Sequence, residues 1–265
     1  MNLWSGFVAD TLTIFRKDLR IELRTGEIVT TAGFFAALVA ILTAVAFEAG
    51  VVAEVPVGDR IIPCPTAPLP SAAIVGISVR VAPGAIWLAI AFASILALAR
   101  TWQRERDDGA LTGLLVSPIS RGAIFLGKTL GVAAFVVAVE CIVVPIVALM
   151  FHVELGDVIG ALSVVLLFGT IGVAATGTLF GAMTVRTRAR DLVLATVLFP
   201  LLMPSLLCSV VATSEILNLA QNAETRTAAA QLADTSVQGW LELLGVFDAV
   251  AVFGGLGIFG ALVDD

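Results

Sequence analysis

Residues 122–129 read GAIFLGKT, which matches the phosphate-binding pattern G-x-x-x-x-G-K-[ST] letter for letter. This pattern binds phosphate when a glycine-rich loop leaves a strand and opens a helix, so that backbone N–H groups surround the anion. Here the variable positions are apolar, a long apolar run follows Lys128, and no alternating strand and helix pattern supplies a sheet. We therefore predict that this chain binds no nucleotide and that Lys128 extends to the lipid headgroups at the start of a membrane span.

Two acidic residues, Glu140 and Asp248, fall inside long apolar runs. A carboxylate in hydrocarbon is costly unless it is paired or protonated, so each is a candidate functional residue. One interpretation is a polar patch that lines a cavity or contacts a helix of a partner. The other, which we favour, is a protonated carboxyl that hydrogen-bonds to a neighbouring helix and stabilises packing.

The composition shows what kind of element must position these residues. Of the 265 residues, 59% are hydrophobic and 14% are charged, whereas about 25% of an average soluble domain is charged. A soluble fold lacks the interior volume to bury so much apolar surface. Three cysteines and ten prolines also exclude a disulfide framework and a collagen-like chain. The sequence therefore predicts a membrane protein with several spans.

Six stretches are long and apolar enough to cross about 30 Å of hydrocarbon. We predict an all-α fold, a single transmembrane domain over residues 1–265, in which Pro83 and Gly84 open the second span. The predicted spans are 28–47, 82–98, 124–151, 158–183, 192–211 and 240–263.

The basic residues predict the orientation of the spans. Twelve of the fifteen Lys and Arg residues fall in the N-terminal segment, the second-to-third connection and the fourth-to-fifth connection. Cytoplasmic loops carry the excess of Lys and Arg, so both termini are predicted to be cytoplasmic. The loops 48–81 and 212–239 then lie outside.

The first 27 residues predict an amphipathic helix on the cytoplasmic surface of the membrane. At 100° per residue, one sector collects apolar side chains, and Arg16, Arg20 and Arg24 recur beside it every four residues. Such a helix lies in the interface with its arginines near lipid phosphates or a docked acidic protein, or it serves as a membrane anchor alone. The apolar sector contains Trp4, Val8, Leu12, Phe15, Leu19 and Leu23.

The segment 99–128 predicts a contact surface below the membrane. The second span continues as a charged helix, Asp108 and Gly109 break it, and 110–115 forms a short amphipathic turn before Pro118. This arrangement suits the transmission of motion from a soluble subunit to the spans, and the alternative is an ordinary solvated loop. The residues we expect to take part are Arg104, Asp108, Gly109, Leu111, Leu114 and Pro118, with Lys128, Arg16, Arg20 and Arg24 at the same cytoplasmic surface.

Several stretches together resemble the CcmB family, the permease subunits of the heme-handling ABC transporter of cytochrome c maturation. The combination of R-x-A-P-G-x-I-W at 80–87 with D-G-x-L-x-x-L-x-x-x-P at 108–118 carries most of the resemblance. The other matching stretches, in the same order, are IFRKDLRIELRTGEI at 14–28, LLFGT at 166–170 and FPLLMP at 199–204.

The resemblance implies a six-span permease of the ABC-2 type in the plasma (inner) membrane. It implies that this chain is no enzyme and that a separate cytoplasmic ATPase subunit binds and hydrolyses ATP. It further implies that heme is handled by the complex, with other membrane subunits of cytochrome c maturation and a periplasmic heme chaperone as partners. The chain would also contact the lipid bilayer, and it would bind no nucleic acid.

Two other functions stay open on the sequence alone. One is a generic ABC-2 exporter of a drug or lipid, and the other is a scaffold that assembles cytochrome-maturation subunits without transport. His152, the one histidine of the sequence, would suit heme ligation. A single histidine with no second ligand is more typical of an interfacial position, so we predict no cofactor bound by this chain.

Overall fold

The computed structural model describes residues 3–50, 53–57, 60–64, 71–107, 113, 116–184, 190–220 and 227–264. Within these residues the chain forms eight helices and one β-hairpin. The helices are α1 (Leu3–Thr25), α2 (Glu27–Gly50), α3 (Ser71–Asp107), α4 (Arg121–Met150), α5 (Leu155–Thr184), α6 (Arg190–Ala220), α7 (Ala228–Ala233) and α8 (Thr235–Asp264). The hairpin pairs β1 (Ala53–Val57) antiparallel with β2 (Arg60–Cys64), in a register that joins Ala53 to Cys64 and Val57 to Arg60.

Six of these helices are long and apolar enough to cross a membrane, which confirms the predicted all-α architecture with six spans. The chain is a multi-pass membrane protein. The candidate spans are Glu27–Phe47, Arg80–Glu105, Arg121–Met150, Leu155–Met183, Thr196–Ala220 and Thr235–Ala261. Because α2 and α3 run in opposite directions on either side of the hairpin, the bundle has an α1 end and a hairpin end.

The predicted helix start at Pro83 is wrong, although the candidate span Arg80–Glu105 begins two residues from the predicted span start at 82. Pro83 does not open a helix, because α3 begins at Ser71 and contains Pro83 in its interior. Prolines are tolerated inside membrane helices, where neighbouring helices and side chains satisfy the freed backbone groups. Pro145 lies inside α4, and Pro200 and Pro204 lie inside α6 in the same way.

Small side chains allow these helices to pack closely. Ala32, Ala36, Ala40 and Ala44 form a buried stripe along α2, one residue per turn. On α5, a Cβ atom added at Gly169, Gly177 or Gly181 would lie within 2.3 Å of a side-chain atom of α3. The α3 side chains at these three positions are Trp87, Leu98 and Trp102. Van der Waals contact of this kind drives helix association in lipid, because lipid tails are as apolar as the helices.

Large apolar side chains cover the outside of the bundle. Phe34 of α2 is 71% exposed and Phe253 of α8 is 72% exposed. A soluble monomer rarely carries an extended apolar surface, whereas a lipid-facing surface requires one. Other exposed side chains on these two helices are Leu42, Val45, Val246 and Val250.

The N-terminal helix packs against α4 rather than standing apart. A sharp turn at Gly26, whose φ of 62° lies in the left-handed region, leads directly from α1 into α2. Ile14 of α1 is buried against Gly127 of α4, where a Cβ atom would lie 2.7 Å from the Ile14 Cβ atom and 3.0 Å from the Thr11 carbonyl oxygen. The absence of a side chain at this position lets the two helices meet.

We expect Gly127→Ala to weaken the packing of α1 on α4. The added methyl group has no room against backbone and a β-branched side chain, and overpacking of this kind costs about 1–3 kcal/mol. Gly131→Ala is the matched control, because its Cβ atom would meet Asp18 at an ordinary 3.5 Å. Thermal unfolding in detergent and tryptic cleavage within α1 measure the effect. Equal stability and equal cleavage of the two variants would contradict the close contact.

Candidate functional site

The ends of α1, α3 and α4 bring together four charged side chains, which we call the ion cluster: Lys17, Asp18, Glu105 and Lys128. The Lys128 ammonium lies 2.8 Å from Asp18 Oδ2 and also donates to Glu105 Oε1. Lys17 lies 3.0 Å from Glu105 Oε1 and 3.1 Å from Asp18 Oδ1. The cluster therefore holds two positive and two negative charges and joins three helices.

The expectation that Lys128 reaches the lipid headgroups is wrong. Lys128 lies on the eighth residue of α4, and only 1% of its side chain is exposed. Its two carboxylate partners, Asp18 and Glu105, are buried within the protein, and extension of Lys128 to the surface would leave them with Lys17 alone.

The phosphate-loop pattern has the wrong geometry for phosphate, as predicted from its apolar residues. Gly122 and Gly127 both lie inside the regular helix α4, which begins after the N-cap residue Ser120. Ser120 Oγ accepts from the backbone N–H of Ala123 at 3.3 Å. The backbone N–H groups further along point into the helix and serve its own hydrogen bonds.

Lys17 keeps its charge within the cluster. Burial alone would lower its pKa, but the carboxylates of Asp18 and Glu105 outweigh burial and raise the pKa above the ordinary 10.5. A raised pKa means that the stabilising contribution of Lys17 is complete at neutral pH and is lost only as the pH rises through that raised value.

A second group of charges lies beside the cluster; we call it the Glu22 network. Glu22 Oε1 accepts from the backbone N–H groups of Ile28 at 2.7 Å and Val29 at 2.8 Å, so it caps the first turn of α2. Its other oxygen lies 3.2 Å from Arg104 of α3. The remaining pairs join Arg104 to Glu27 at 2.8 Å and Arg100 to Glu27 at 3.2 Å.

The structure places the predicted coupling residues in three groups. Arg104 is paired within the chain, through the Glu22 network. Pro118 is exposed in a bend shortly before α4. Asp108, Gly109, Leu111 and Leu114 lie outside the described residues.

The predicted arginine stripe of α1 lies on the outer surface of that helix. Arg16, Arg20 and Arg24 are all exposed. The face of α1 that packs on the bundle is partly polar, since Asp18 and Glu22 are among its buried residues. The apolar sector predicted for the membrane surface includes Val8, Leu12 and Leu23, all exposed in the structure. Its contact with lipid stays a prediction.

Sequence reasoning missed Asp18, Glu22 and Glu105, the acids that hold the two charge groups together. One signal was available: Asp18 and Glu22 stand four residues apart, and so share one face of a helix whose other charged residues are mostly basic. That face is the one directed at α3 and α4.

The two intramembrane acids have different surroundings. Glu140 of α4 is buried, and its Oε1 accepts from the hydroxyl of Thr170 of α5 at 2.5 Å. Asp248 of α8 is equally buried, but neither of its carboxylate oxygens has a hydrogen-bond partner among the described residues. The predicted hydrogen bond to a neighbouring helix is therefore seen for Glu140, while Asp248 lacks one in this part of the chain.

Among the described residues, no group of three His, Cys, Asp or Glu side chains lies close enough together to hold a metal ion. His152 is exposed just after α4.

The chain is similar to a known protein family and to a characterised bacterial protein. A family model described as CcmB protein matches residues 70–254. Over 128 residues the chain is 30% identical to heme exporter protein B of Rhodobacter capsulatus. This match covers 48% of the present chain and 58% of the relative, so the chain spans little more than half the length of that protein.

We expect Lys128→Met to release α1 from the bundle. The substitution keeps an unbranched side chain but removes the buried cation, so that the two buried carboxylates keep only the partly exposed Lys17, and breaking a buried pair in this way costs about 3–5 kcal/mol. Lys17→Met is the matched control, because the Lys17 side chain is 36% exposed and a partly solvated ion pair contributes at most about 1 kcal/mol. Tryptic cleavage after Arg16 and Arg20, with thermal unfolding, compares the two. Similar losses in both variants would contradict a cluster centred on Lys128.

For Glu140 we expect the amide variant to be tolerated. Glu140→Gln keeps an oxygen that accepts from Thr170, so stability in detergent should match that of the unaltered chain. Thr170→Val removes the donor and should cost on the order of 0.6 kcal/mol. A loss of stability in Glu140→Gln larger than that in Thr170→Val would show that the carboxylate itself is required.

Proposed function

The chain belongs to the CcmB family, and from this membership we propose that it is the membrane permease subunit of a heme-handling ABC transporter in cytochrome c biogenesis. A separate cytoplasmic ATPase subunit hydrolyses ATP, and this chain converts that hydrolysis into movement of its spans. The movement serves heme transport or the release of a heme-loaded periplasmic chaperone. Other membrane subunits of cytochrome c maturation complete the assembly in the inner membrane, with the α1 end facing the cytoplasm.

The observation that carries the coupling role is the convergence of charges on the last two turns of α3. Arg100 and Arg104 pair with Glu22 and Glu27, and Glu105 pairs with Lys17 and Lys128. A displacement of α3 at this end is thus opposed by ion pairs to α1, α2 and α4 together. Glu22, Glu105 and Lys128 are buried, and a buried pair is costly to break one partner at a time, so we expect α1, α3 and α4 to move as one unit.

The segment that follows α3 is the contact for the ATPase. Residues 108–118 connect the end of α3 to α4, so force applied there reaches two of the three helices that form the ion cluster. The exposed residues at the end of the segment include Val116, whose side chain is 84% exposed. Val116 is therefore accessible to a partner that docks on this segment.

Genetic complementation tests the function. A strain that lacks its native permease gene should regain holocytochrome c when it expresses this chain together with its ATPase subunit. Normal membrane accumulation of the chain without any holocytochrome c would overturn the proposal.

Leu114→Asp tests the docking segment. A charge in a desolvated contact should detach the ATPase, measured by co-purification in detergent, while the spans still insert. Leu23→Asp on α1 is the control, because Leu23 is 79% exposed on the same end of the bundle but outside the segment. Unchanged ATPase recovery with Leu114→Asp, or equal loss with Leu23→Asp, would contradict docking on 108–118.

A further inference from the structure

Asp248 lies at the middle of a membrane span. It is the central residue of the candidate span Thr235–Ala261 of α8, about 20 Å from either end at 1.5 Å per residue. Only 5% of the residue is exposed. A carboxylate at this depth needs neutralisation by a cation, a metal or a proton.

A glycine of α5 brings Asp248 close to a hydroxyl of α6. A Cβ atom added at Gly172 would lie 2.2 Å from Ser205 Oγ and 2.4 Å from Asp248 Oδ1, so the two oxygens are no further apart than the sum of these distances. Ser205 and Ser209 are fully buried. Within the described residues, the hydroxyls of both serines and both oxygens of Asp248 have no hydrogen-bond partner.

No cationic side chain is found against Asp248 in the described part of the chain. On α6, Cys208 interacts electrostatically with Asp248, and α5 contributes Gly172. On α4, Lys128 is bound by Asp18 and Glu105, and Glu140 is bound by Thr170.

The other charged groups near α8 lie well away from Asp248 along the helix. Arg121 of α4 packs against Gly260, twelve residues or about 18 Å further along α8. Glu242, on α8 itself, is exposed.

We propose that Asp248 is a proton-binding site at mid-membrane and that its proton exchanges with the hairpin end of the bundle. A proton neutralises the carboxylate and needs no cavity. It also gives the carboxyl a donor for the Ser205 hydroxyl, whereas a metal ion would require more oxygen ligands than one carboxylate and two hydroxyls supply.

The polar face of α6 supplies the direction of exchange. Ser205, Ser209 and Thr213 follow one another every four residues, so their Cβ atoms lie about 5–6 Å apart on one face of α6. Thr213 donates to the Ser209 carbonyl oxygen at 2.7 Å and accepts from the Trp87 indole at 3.0 Å. Thr213 also lines an apolar pocket near the hairpin end, with Ile86, Val147 and Leu217.

In the opposite direction the same face of α6 is apolar. Leu202 and Leu198 continue it toward the α1 end, and both are fully buried. Among the described residues of α6, the line of hydroxyls therefore continues from Ser205 toward the hairpin end and not toward the α1 end.

Labelling with dicyclohexylcarbodiimide tests the site. This apolar reagent reacts with a protonated carboxyl. The carboxyl oxygen bonds to the carbodiimide carbon, and the acid proton moves to a carbodiimide nitrogen. Rearrangement of this adduct then leaves a stable N-acylurea. The full chain is labelled in sealed membrane vesicles in which α1 is protected from external trypsin, so that the hairpin end faces outward. Mass spectrometry then measures the adduct on Asp248.

We expect adduct formation on Asp248 to follow the external pH. Above the pKa of the group, each unit of external pH should reduce the rate about tenfold, because the protonated fraction falls tenfold. The same change of internal pH should leave the rate unchanged. Labelling that follows the internal pH, or that ignores both, overturns the proposal.

Three variants separate the site from nonspecific effects. Asp248→Asn should remove the adduct, and its persistence on the same peptide would refute the assignment. Ser205→Ala with Ser209→Ala should slow the response to a step in external pH several-fold, and an unchanged response would refute the hydroxyl path. Ser163→Ala is the matched control, because this α5 hydroxyl is exposed and bonds within its own helix. All variants are compared at equal abundance in the membrane, with thermal unfolding as the check on folding.

Discussion

Lys128 places an ammonium group where solvent cannot reach it, and the packing of the α1 end depends on how that charge is neutralised. Its partners, Asp18 and Glu105, come from two other helices. A buried cation with one anion would still leave hydrogen-bonding capacity unused, whereas two anions and a second cation, Lys17, use the capacity and balance the charge. The positions of α1, α3 and α4 are thus fixed by one electrostatic requirement.

Apolar packing alone would not fix these positions. In lipid, helices gain little from burying apolar surface against one another, so small residues decide how closely they approach. The alanine stripe of α2 and the glycines of α5 set that closeness, yet such surfaces would tolerate sliding along the helix axis. A charge pair does not tolerate sliding, because moving Glu105 by one turn would leave Lys128 with a single partner. The ion cluster therefore sets the register, and the small residues set the distance.

The spans and the fold class follow from the composition, because a run of about twenty apolar residues crosses a bilayer as a helix. The partners of Lys128 do not follow, since it pairs with residues 110 and 23 positions away and no local pattern records such distances. The predicted start at Pro83 failed because membrane helices accept internal prolines. The helical geometry of residues 122–129 was predictable, since the apolar positions between the two glycines suit a helix and not a phosphate loop.

Glu140 and Asp248 show why the same residue type at similar burial has different consequences. Glu140 meets Thr170, a donor on the adjacent helix, and one hydrogen bond is enough to make a packed carboxyl a structural feature. Asp248 lies against Gly172, which has no side-chain donor. The missing side chain leaves the space in which the carboxylate approaches Ser205. Among the described residues, the carboxyl of Asp248 therefore has no side-chain partner, and its charge must be neutralised in another way. A proton meets that need, and the line of hydroxyls along α6 gives it a route that the apolar residues below Ser205 do not.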